Sequence, residues 1–493
     1  MKVHALAKPL VEVAADALIV ALPAGLKALP PRMAPLDRRT GGQVTAVLEA
    51  ERFQAKPAQV THLHTAGRLP AARLIVVGMG EEKDVALETV RRAAAAGVRR
   101  ARDLGARTVA LDLFGDALPA RQRAQALVEG GLLATYTFDR YKREKNGKTI
   151  ESLTVVAADG RLVGDVAKGV RRGEVFGQAT MFARDLVNMP ANEMHPTHLA
   201  RLAGRIAREA RLKLRLFDRG GCEKLGMGAF LGVAAGSAQP PAFIHLAYAP
   251  GGRPRRRIAL IGKGVTFDAG GLDLKTADGM LRMKNDMSGA AAVLAILRAL
   301  PALKPPLEVH GLIAATENMP SGSAFRPGDV LRAMNGTTIE VGNTDAEGRL
   351  TLADALCYAN TRVKAHEIID MATLTGACVV ALGPLCAGLF ASDQGLADRL
   401  LAAAAEAGER LWQLPLIDEY REHLKSEVAD INNVGPRGGG AINAALFLKE
   451  FAGATPWAHL DIAGPAFSEK DLPLAPKGGT GAAVRALLMY LSP

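Results

Sequence analysis

Short apolar runs alternate with longer helical patterns along most of the chain, and this alternation restricts the fold more than any other feature. In the first part, "RLIVVGMG" (73–80) and "ARTVALDLF" (106–114) have the composition of buried strands, while "VALETVRRAAAAGVRRARDLG" (85–105) between them has helical periodicity. Strands joined through a crossover helix run parallel to each other. The pattern therefore predicts an α/β protein built on parallel sheet.

The chain of 493 residues is long enough for more than one hydrophobic core. A helical pattern over 161–187 ends at two prolines in "NMPANEMHPTH", and a second series of strands and helices follows. We therefore predict a smaller N-terminal α/β domain over 1–160 and a connecting helix over 161–187. A larger C-terminal α/β domain over 188–493, with a mixed sheet flanked by helices, completes the predicted fold.

The net charge leaves a nucleic-acid partner open. The formal charge is +11 at pH 7, and six arginines between positions 91 and 107 are accompanied by a single acid, Asp103. The segment contains no interleaved aromatic residues, and no nucleic-acid-binding module is recognisable. A DNA-binding regulatory protein is thus an alternative function, and it requires these arginines to form a continuous exposed stripe.

The cysteine pattern and the N-terminus predict a cytoplasmic protein. The four cysteines are unevenly spaced in apolar sequence, which is typical of neither a disulfide framework nor a zinc ribbon. Glu12 and Asp16 precede a short apolar run, so the first residues lack the layout of a signal peptide.

One uncharged segment, 371–392, has the length of a membrane span. Three glycines, Pro384 and two threonines interrupt it, and no positive cluster flanks it. We predict a buried strand, a turn and a second apolar element there, and no membrane partner.

Charged residues concentrate where predicted strands end or helices begin. Ligands of open α/β sheets bind beyond the carboxyl ends of the strands, so a site is expected at such positions. The residues are Lys263, Asp268 and Lys275 in a Gly-rich loop within "IALIGKGVTFDAGGLDLK", Asp286 in "MKNDMSGAAA", and Asp345, Glu347 and Arg349 in "NTDAEGRL".

Each of these residues alone has an ordinary structural interpretation. Asp286 and Asp345 could be helix N-caps or near-cap acids, and Lys275 could be a solvated lysine. Together, four carboxylates in charge-poor sequence would repel one another unless a cation lay among them. If "NTDAEGRL" were extended, the side chains of Asp345, Glu347 and Arg349 would lie on one face, because alternate residues of a strand share a face. Since divalent cations take oxygen ligands and no "HExxH" motif occurs, the residues favour a carboxylate-rich two-metal hydrolytic site.

Several motifs resemble the leucyl (cytosol) aminopeptidase family of dinuclear metallopeptidases. They are "GKGVTFDAGGLDLK", "MKNDMSGAAA", "ENMPSGSAFRPGDV" and above all "NTDAEGRLTLADAL", and further family motifs keep the same order over residues 180–485. The resemblance implies a metal-dependent aminopeptidase that releases leucine and other apolar N-terminal residues from peptides. It also implies two Mn²⁺ or Zn²⁺ ions per subunit and a homohexamer whose active sites face an inner cavity.

The family's functional residues can be carried over motif by motif. By resemblance, Lys263, Asp268, Asp286 and Glu347 hold the tighter metal, and Asp268, Asp345 and Glu347 hold the exchangeable one. Lys275 and Arg349 take the two catalytic positions, with a bicarbonate ion at Arg349. Lys275, Met283, Thr373 and Gly376 match positions that bind substrate.

A two-metal phosphohydrolase is a second alternative, because dinuclear carboxylate sites also serve phosphate esters. Lys263 as a ligand and the specificity of "NTDAEGRL" argue against it. Small departures from the family pattern, such as Ala269 in "FDAGG", touch none of the carried-over positions.

Overall fold

The computed structural model describes residues 1–25, 28–145 and 147–493. The chain divides into two compact units. The first contains 1–181 and 470–476, and the second contains 182–469 and 477–493. Each unit has its own sheet covered by helices, which confirms the predicted α/β class with a smaller N-terminal part and a larger C-terminal part.

The first unit is built on a six-stranded sheet in the order β1-β6-β5-β2-β4-β3. All neighbouring strands are parallel except β3, which runs antiparallel at one edge. The strands are β1 Lys2–Ala7, β2 Ala17–Leu22, β3 Val60–His64, β4 Arg73–Gly78, β5 Thr108–Asp112 and β6 Ser152–Ala157. Its helices are α1 Ala34–Thr40, α2 Gln43–Ala50, α3 Leu87–Asp103 and α4 Ala120–Ala134.

The predicted βαβ unit is present as β4, α3 and β5. The two strands are parallel but not adjacent, because β2 pairs with both of them. Helix α3 packs closely on the sheet at Gly97, where an added methyl group would lie 2.7 Å from the Ile19 Cγ2 atom. The long helix α5, Val163–Asn188, follows β6.

The six arginines between positions 91 and 107, five of them in α3, do not all lie on one exposed stripe. Arg91 is 1% exposed, and its Nε donates to buried Glu129 over 2.6 Å. Arg92 is exposed but pairs with Glu88, and Arg107 pairs with Glu151. The stripe that the DNA-binding alternative requires is therefore interrupted at Arg91, and the structure gives that alternative no support.

The second unit contains an eight-stranded mixed sheet in the order β15-β14-β17-β13-β9-β10-β8-β7. Its four central strands, β17, β13, β9 and β10, are mutually parallel, and antiparallel β14 and β8 flank them. The strands are β7 Lys213–Phe217, β8 Ala242–Tyr248, β9 Arg257–Asp268, β10 Glu308–Asn318, β13 Glu367–Ala372, β14 Ala387–Ala391, β15 Leu411–Gln413 and β17 Trp457–Asp461.

Helices cover both faces of this sheet, and two small sheets complete the unit. The short strands are β11 Val330–Arg332, β12 Thr338–Glu340, β16 Ile431–Asn432, β18 Phe467–Ser468 and β19 Gly478–Gly479. The helices are α6 Pro196–Ala210, α7 Arg219–Lys224, α8 Gly228–Val233, α9 Ala277–Met280, α10 Ser288–Leu303, α11 Glu347–Tyr358, α12 Gly376–Leu382, α13 Gln394–Ala407, α14 Gly440–Ala452 and α15 Val484–Leu491.

The uncharged segment 371–392 is a strand end, helix α12 and strand β14, as the interruptions by glycine and proline predict. A different segment, Ala277–Leu303, is apolar and long enough to cross a membrane, but 78% of its most apolar window is buried inside the protein. That degree of burial is typical of a core helix.

Three side chains on β8, β10 and α11 form a buried polar chain beside the sheet. The atoms His245 Nε2 and His310 Nδ1 are 2.8 Å apart, and His245 Nδ1 lies 3.1 Å from the Tyr358 hydroxyl. Burial, reinforced by His310, lowers the pKa of His245 to about 4. The folded protein therefore holds this imidazole neutral at pH values where the unfolded chain would protonate it.

We expect this histidine to make the second unit sensitive to acid. Because the folded pKa lies below the unfolded value of about 6.5, stability is retained above pH 6.5 and lost as the pH falls towards 4. Between pH 6.5 and 5 the loss is about 2 kcal/mol, at about 1.4 kcal/mol per pKa unit. Urea unfolding of wild type and His245→Gln at pH 7, 6 and 5 should show a smaller loss in the variant. Exposed His366→Gln is the control, and equal slopes in wild type and His245→Gln would contradict the prediction.

Candidate active site

Strand β9 carries Lys263 and Asp268, so both residues lie in regular sheet and the prediction of a Gly-rich loop there was wrong. The strand continues because β10 runs beside it as far as Asn318, which gives its backbone groups partners. Its glycines serve packing: a methyl group on Gly262 would lie 2.4 Å from the Gly289 carbonyl oxygen at the start of α10. The neighbouring strand β13 pairs with β9 only as far as Gly262. Lys263, the next residue of β9, therefore lies at the carboxyl end of β13.

The loop after β9 folds back so that Lys275 faces Asp268. The Lys275 Nζ atom lies 2.9 Å from Asp268 Oδ2 and also forms an ion pair with Asp345. Gly270 and Gly271 have φ values of 91° and 69°, a left-handed conformation that glycine adopts without strain. Lys275 is therefore held in an ion pair and is not a solvated surface lysine.

The segment "NTDAEGRL" is a turn followed by the first turn of a helix, so the extended conformation considered from the sequence was wrong. Helix α11 begins at Glu347 and includes Arg349. An acid at a helix N-terminus is favourable because the unpaired backbone N–H groups there carry partial positive charge. The absence of a side chain at Gly348 matters, since a methyl group there would lie 2.6 Å from Lys263 Nζ.

Neither candidate aspartate caps a helix. Helix α10 is preceded by Met287 and helix α11 by Ala346, and neither start has a side-chain capping hydrogen bond. Asp286 follows a short 3₁₀ helix and is 3% exposed. Neither residue is therefore an N-cap, although each directly precedes the N-cap residue and is a near-cap acid.

A buried cluster of opposite charges lies at the centre of the site. Lys263 Nζ is 2.9 Å from Asp286 Oδ1 and 2.7 Å from Glu347 Oε1, and all three side chains are at most 4% exposed. One oxygen of each of Asp268, Asp286 and Glu347 lies within 4.8 Å of the others. The structure thus brings all five predicted metal ligands and Lys275 together through direct ion pairs or close carboxylates.

The charges of this cluster perturb one another. Burial, together with Asp268, raises the pKa of Glu347 to about 8, and burial raises that of Asp286 to about 6. Burial disfavours the charged form of Lys263, but Asp286, Glu347 and Asp268 outweigh it, so the Lys263 pKa is raised. Strongly perturbed groups at the end of a strand are typical of functional sites.

Arg349 is 8% exposed and tied to a neighbouring loop. Its Nη1 donates to the Asn433 carbonyl oxygen over 2.7 Å, whereas its buried Nε has no hydrogen-bond partner among the described residues. Burial lowers the Arg349 pKa to about 10, although Glu347 and Asp461 partly compensate. The guanidinium is therefore positively charged, and its Nε–H group is available to donate a hydrogen bond to a ligand.

The three predicted pocket residues take different positions. Thr373 Oγ1 donates to Asp286 Oδ1 over 2.6 Å, and the Thr373 carbonyl oxygen accepts from Lys263 Nζ over 3.0 Å. Met283 is half-buried in the 3₁₀ helix before Asp286, and Gly376 is exposed at the start of α12. An apolar groove of about 490 Å³ begins at Gly376 and continues along Ala377, Val380, Leu414, Ala441 and Ile442.

Two buried residues of the site were missed by the analysis of the sequence. Asn318 Nδ2 donates to Asp268 Oδ1 over 2.8 Å, and fully buried Asp461 holds the turn that carries Thr373. The only signal for either was its place inside a segment that resembles the family, "ENMPSGSAFRPGDV" for Asn318 and, among the further motifs, "WAHLDIAGPAFSEKD" for Asp461.

The chain matches known families over most of its length. The family model described as "Cytosol aminopeptidase family, catalytic domain" matches residues 181–488, and the model of the family's N-terminal domain matches residues 20–145. A probable cytosol aminopeptidase of Synechococcus sp. (strain JA-3-3Ab) is 47% identical over 94% of this chain and 92% of the relative. One of Aquifex aeolicus is 45% identical over 93% of this chain and 92% of the relative.

Solved structures agree with these matches. A mutant of tomato leucine aminopeptidase superposes with a TM-score of 0.90 at 38% identity, over 100% of this chain and 96% of that one. The bottromycin maturation enzyme BotP in complex with Mn has a TM-score of 0.86 at 40% identity, over 97% of this chain and 99% of that one. The chain belongs to the cytosol aminopeptidase family, as the sequence motifs predicted.

Proposed function

We propose that the protein is a metal-dependent aminopeptidase that removes single residues from the N-termini of peptides. The observation that carries this proposal is the buried cluster of Asp268, Asp286 and Glu347 around Lys263 at the carboxyl ends of the central strands. Membership of the cytosol aminopeptidase family supports the same reaction.

The donor set fits divalent cations. Asp286 Oδ2 is buried and has no hydrogen-bond partner in the described part of the chain, which leaves a carboxylate oxygen available as a ligand. In the proposal, Lys263, Asp268, Asp286 and Glu347 hold one ion, and Asp268, Asp345 and Glu347 hold a second. Lys263 would bind only as the neutral amine, because an ammonium has no lone pair. BotP was solved with Mn, and Mn²⁺ or Zn²⁺ suits the set proposed here.

Bound divalent cations lower the pKa of water and polarise carbonyl groups. The remaining roles belong to side chains of this chain. Lys275 carries an ammonium beside Asp268 and stabilises negative charge that develops on the scissile carbonyl oxygen. Arg349, whose Nε has no hydrogen-bond partner among the described residues, would hold a planar anion such as bicarbonate, and that anion would supply a general base.

The surroundings of the site support apolar substrates. The groove that begins at Gly376 is lined mainly by Ala, Val, Leu and Ile side chains, and Met283 and Thr373 border the Asp286 side of the site. Leucine and other apolar N-terminal residues are therefore the preferred substrates in this proposal.

The family resemblance extends the proposal to assembly and location. In it, the protein is a cytoplasmic homohexamer whose active sites face an inner cavity. The division into 1–160, the helix 161–187 and 188–493, with the first part ordering the assembly or regulating access, belongs to the same proposal.

Chelation and reconstitution test the proposed activity. Protein treated with a chelator should release no p-nitroaniline from leucine p-nitroanilide, and added Mn²⁺ or Zn²⁺ should restore turnover, because the carboxylate cluster needs a cation to activate water. N-acetyl-leucine p-nitroanilide is the matched control, since a blocked α-amine should abolish cleavage. Turnover of p-nitrophenyl phosphate without turnover of any aminoacyl anilide would instead identify a phosphohydrolase.

A further inference from the structure

A second buried aspartate lies behind the carboxylate cluster. Asp461 ends strand β17, is 0% exposed, and pairs in register with Ala372 at the end of β13. A buried carboxylate is retained only where hydrogen bonds or charges compensate its desolvation. Its partners therefore indicate what it does.

The hydrogen bonds to the Asp461 carboxylate from the described residues come from two turns at the carboxyl edge of the sheet. Asp461 Oδ2 accepts from the Thr375 hydroxyl over 2.7 Å. Asp461 Oδ1 accepts from the backbone N–H groups of Leu374, over 3.2 Å, and Ala463, over 3.2 Å, with Thr375 N at 3.5 Å. One carboxylate thus fixes both the backbone and a side chain of the turn that follows β13.

That turn contacts two residues of the cluster. The Thr373 hydroxyl donates to Asp286 Oδ1 over 2.6 Å, and Asp286 Oδ2 has no hydrogen-bond partner among the described residues. The Thr373 carbonyl oxygen accepts from Lys263 Nζ over 3.0 Å. A shift of the turn would therefore reorient both Asp286 and Lys263.

We infer that Asp461 is a positioning residue of the active site. It holds the turn 373–376 so that Thr373 orients Asp286 and Lys263 towards a divalent cation and Gly376 borders the substrate groove. The inference rests on the proposed function and assigns to Asp461 a role that no sequence motif specified. Residues that orient metal ligands typically affect metal affinity or activity by about 10–100-fold.

The test compares Asp461→Asn with Asp370→Asn in the full-length protein. Asp370 on β13 is also 0% exposed, but it accepts from Trp457 Nε1 over 2.7 Å and lies 2.5 Å from His459 Nδ1, and neither partner belongs to the turn 373–376. Mn²⁺ affinity is measured by calorimetry on chelator-treated protein, and kcat and KM with leucine p-nitroanilide. We expect Asp461→Asn to weaken Mn²⁺ binding and lower kcat by about 10–100-fold. We expect Asp370→Asn to lower the melting temperature with Mn²⁺ affinity unchanged.

A second pair of variants tests the route through Thr373. Thr373→Val keeps the shape and removes the hydroxyl, whereas Thr373→Ser keeps the hydroxyl and should recover Mn²⁺ affinity. If Asp461 acts through this hydroxyl, the two substitutions remove the same effect. The Mn²⁺ affinity of the double variant Asp461→Asn/Thr373→Val should then be no lower than that of the single variant with the lower affinity. Should Asp461→Asn not fold, Thr375→Val removes one of its hydrogen bonds and should weaken Mn²⁺ binding in the same direction.

Unchanged Mn²⁺ affinity in a folded Asp461→Asn, or fully additive losses in the double variant, would overturn the inference. Failure of the proposed function is recognised separately, because wild type would then be inert on aminoacyl anilides. The Mn²⁺ affinities would still decide the role of Asp461.

Discussion

Glu347→Gln is expected to abolish measurable aminopeptidase turnover. The substitution keeps the shape of a 1% exposed side chain at the start of α11 and removes the charge that lies 2.7 Å from Lys263 Nζ. In the proposed site this carboxylate serves both cations, so kcat/KM with leucine p-nitroanilide should fall by more than the ~10–100-fold typical of residues that only orient ligands.

Glu340→Gln is the matched control for this substitution. Glu340 Oε2 accepts from the Ser426 hydroxyl over 2.6 Å and from Asn432 over 3.2 Å, and it lies in the small β11-β12-β16 sheet. The Glu340→Gln variant should therefore retain turnover of leucine p-nitroanilide. Full activity of Glu347→Gln at saturating Mn²⁺ would exclude Glu347 as a shared ligand.

Lys263→Met is expected to destabilise the metal-free second unit by about 3–5 kcal/mol, the loss typical when one partner of a buried ion pair is removed. Lys263 is the cation closest to Asp286 and Glu347, which are 4% and 1% exposed in their side chains. Methionine has a similar length and leaves both carboxylates without this compensation. Urea unfolding followed by tryptophan fluorescence measures the effect, because both tryptophans, Trp412 and Trp457, lie in the second unit.

Lys275→Met provides the comparison. Lys275 pairs with Asp268, whose side chain is 3% exposed, and with Asp345, whose side chain is 32% exposed. Asp268 keeps hydrogen bonds from Gly270 N and Asn318 Nδ2, and solvent screens Asp345, so the destabilisation should be smaller. A loss below about 1 kcal/mol for Lys263→Met would place the pair in the range of surface ion pairs and would contradict its role in the buried cluster.

The pattern of apolar residues was sufficient to predict the class of fold. Continuous apolar runs such as "RLIVVGMG" form buried parallel strands because both faces are covered by helices, and the helical period of 85–105 reappears as α3. The family followed from motifs whose spacing is preserved. These inferences depend on local periodicity and residue order, which a sequence states directly.

Local rules failed where distant segments supply the compensation. Glycines in "IALIGKGVTFDAGG" suggested a loop, yet β10 pairs with the segment as far as Asp268. Gly262 has no side chain there because the start of α10 packs directly against its backbone. Asp345, Glu347 and Arg349 suggested one face of an extended chain, whereas α11 begins at Glu347. In both cases tertiary contacts outweighed the local signal.

The α/β architecture, the family and the residue types of the site can thus be read from the order of the residues. Which charges meet depends on the folded chain. Lys263 and Glu347 are 84 positions apart, and Asp461 reaches the turn at 373–376 because β17 pairs in register with β13. Side-chain ion pairs and hydrogen bonds act over about 3 Å, so such partnerships depend on strand order and register, which local sequence patterns do not encode.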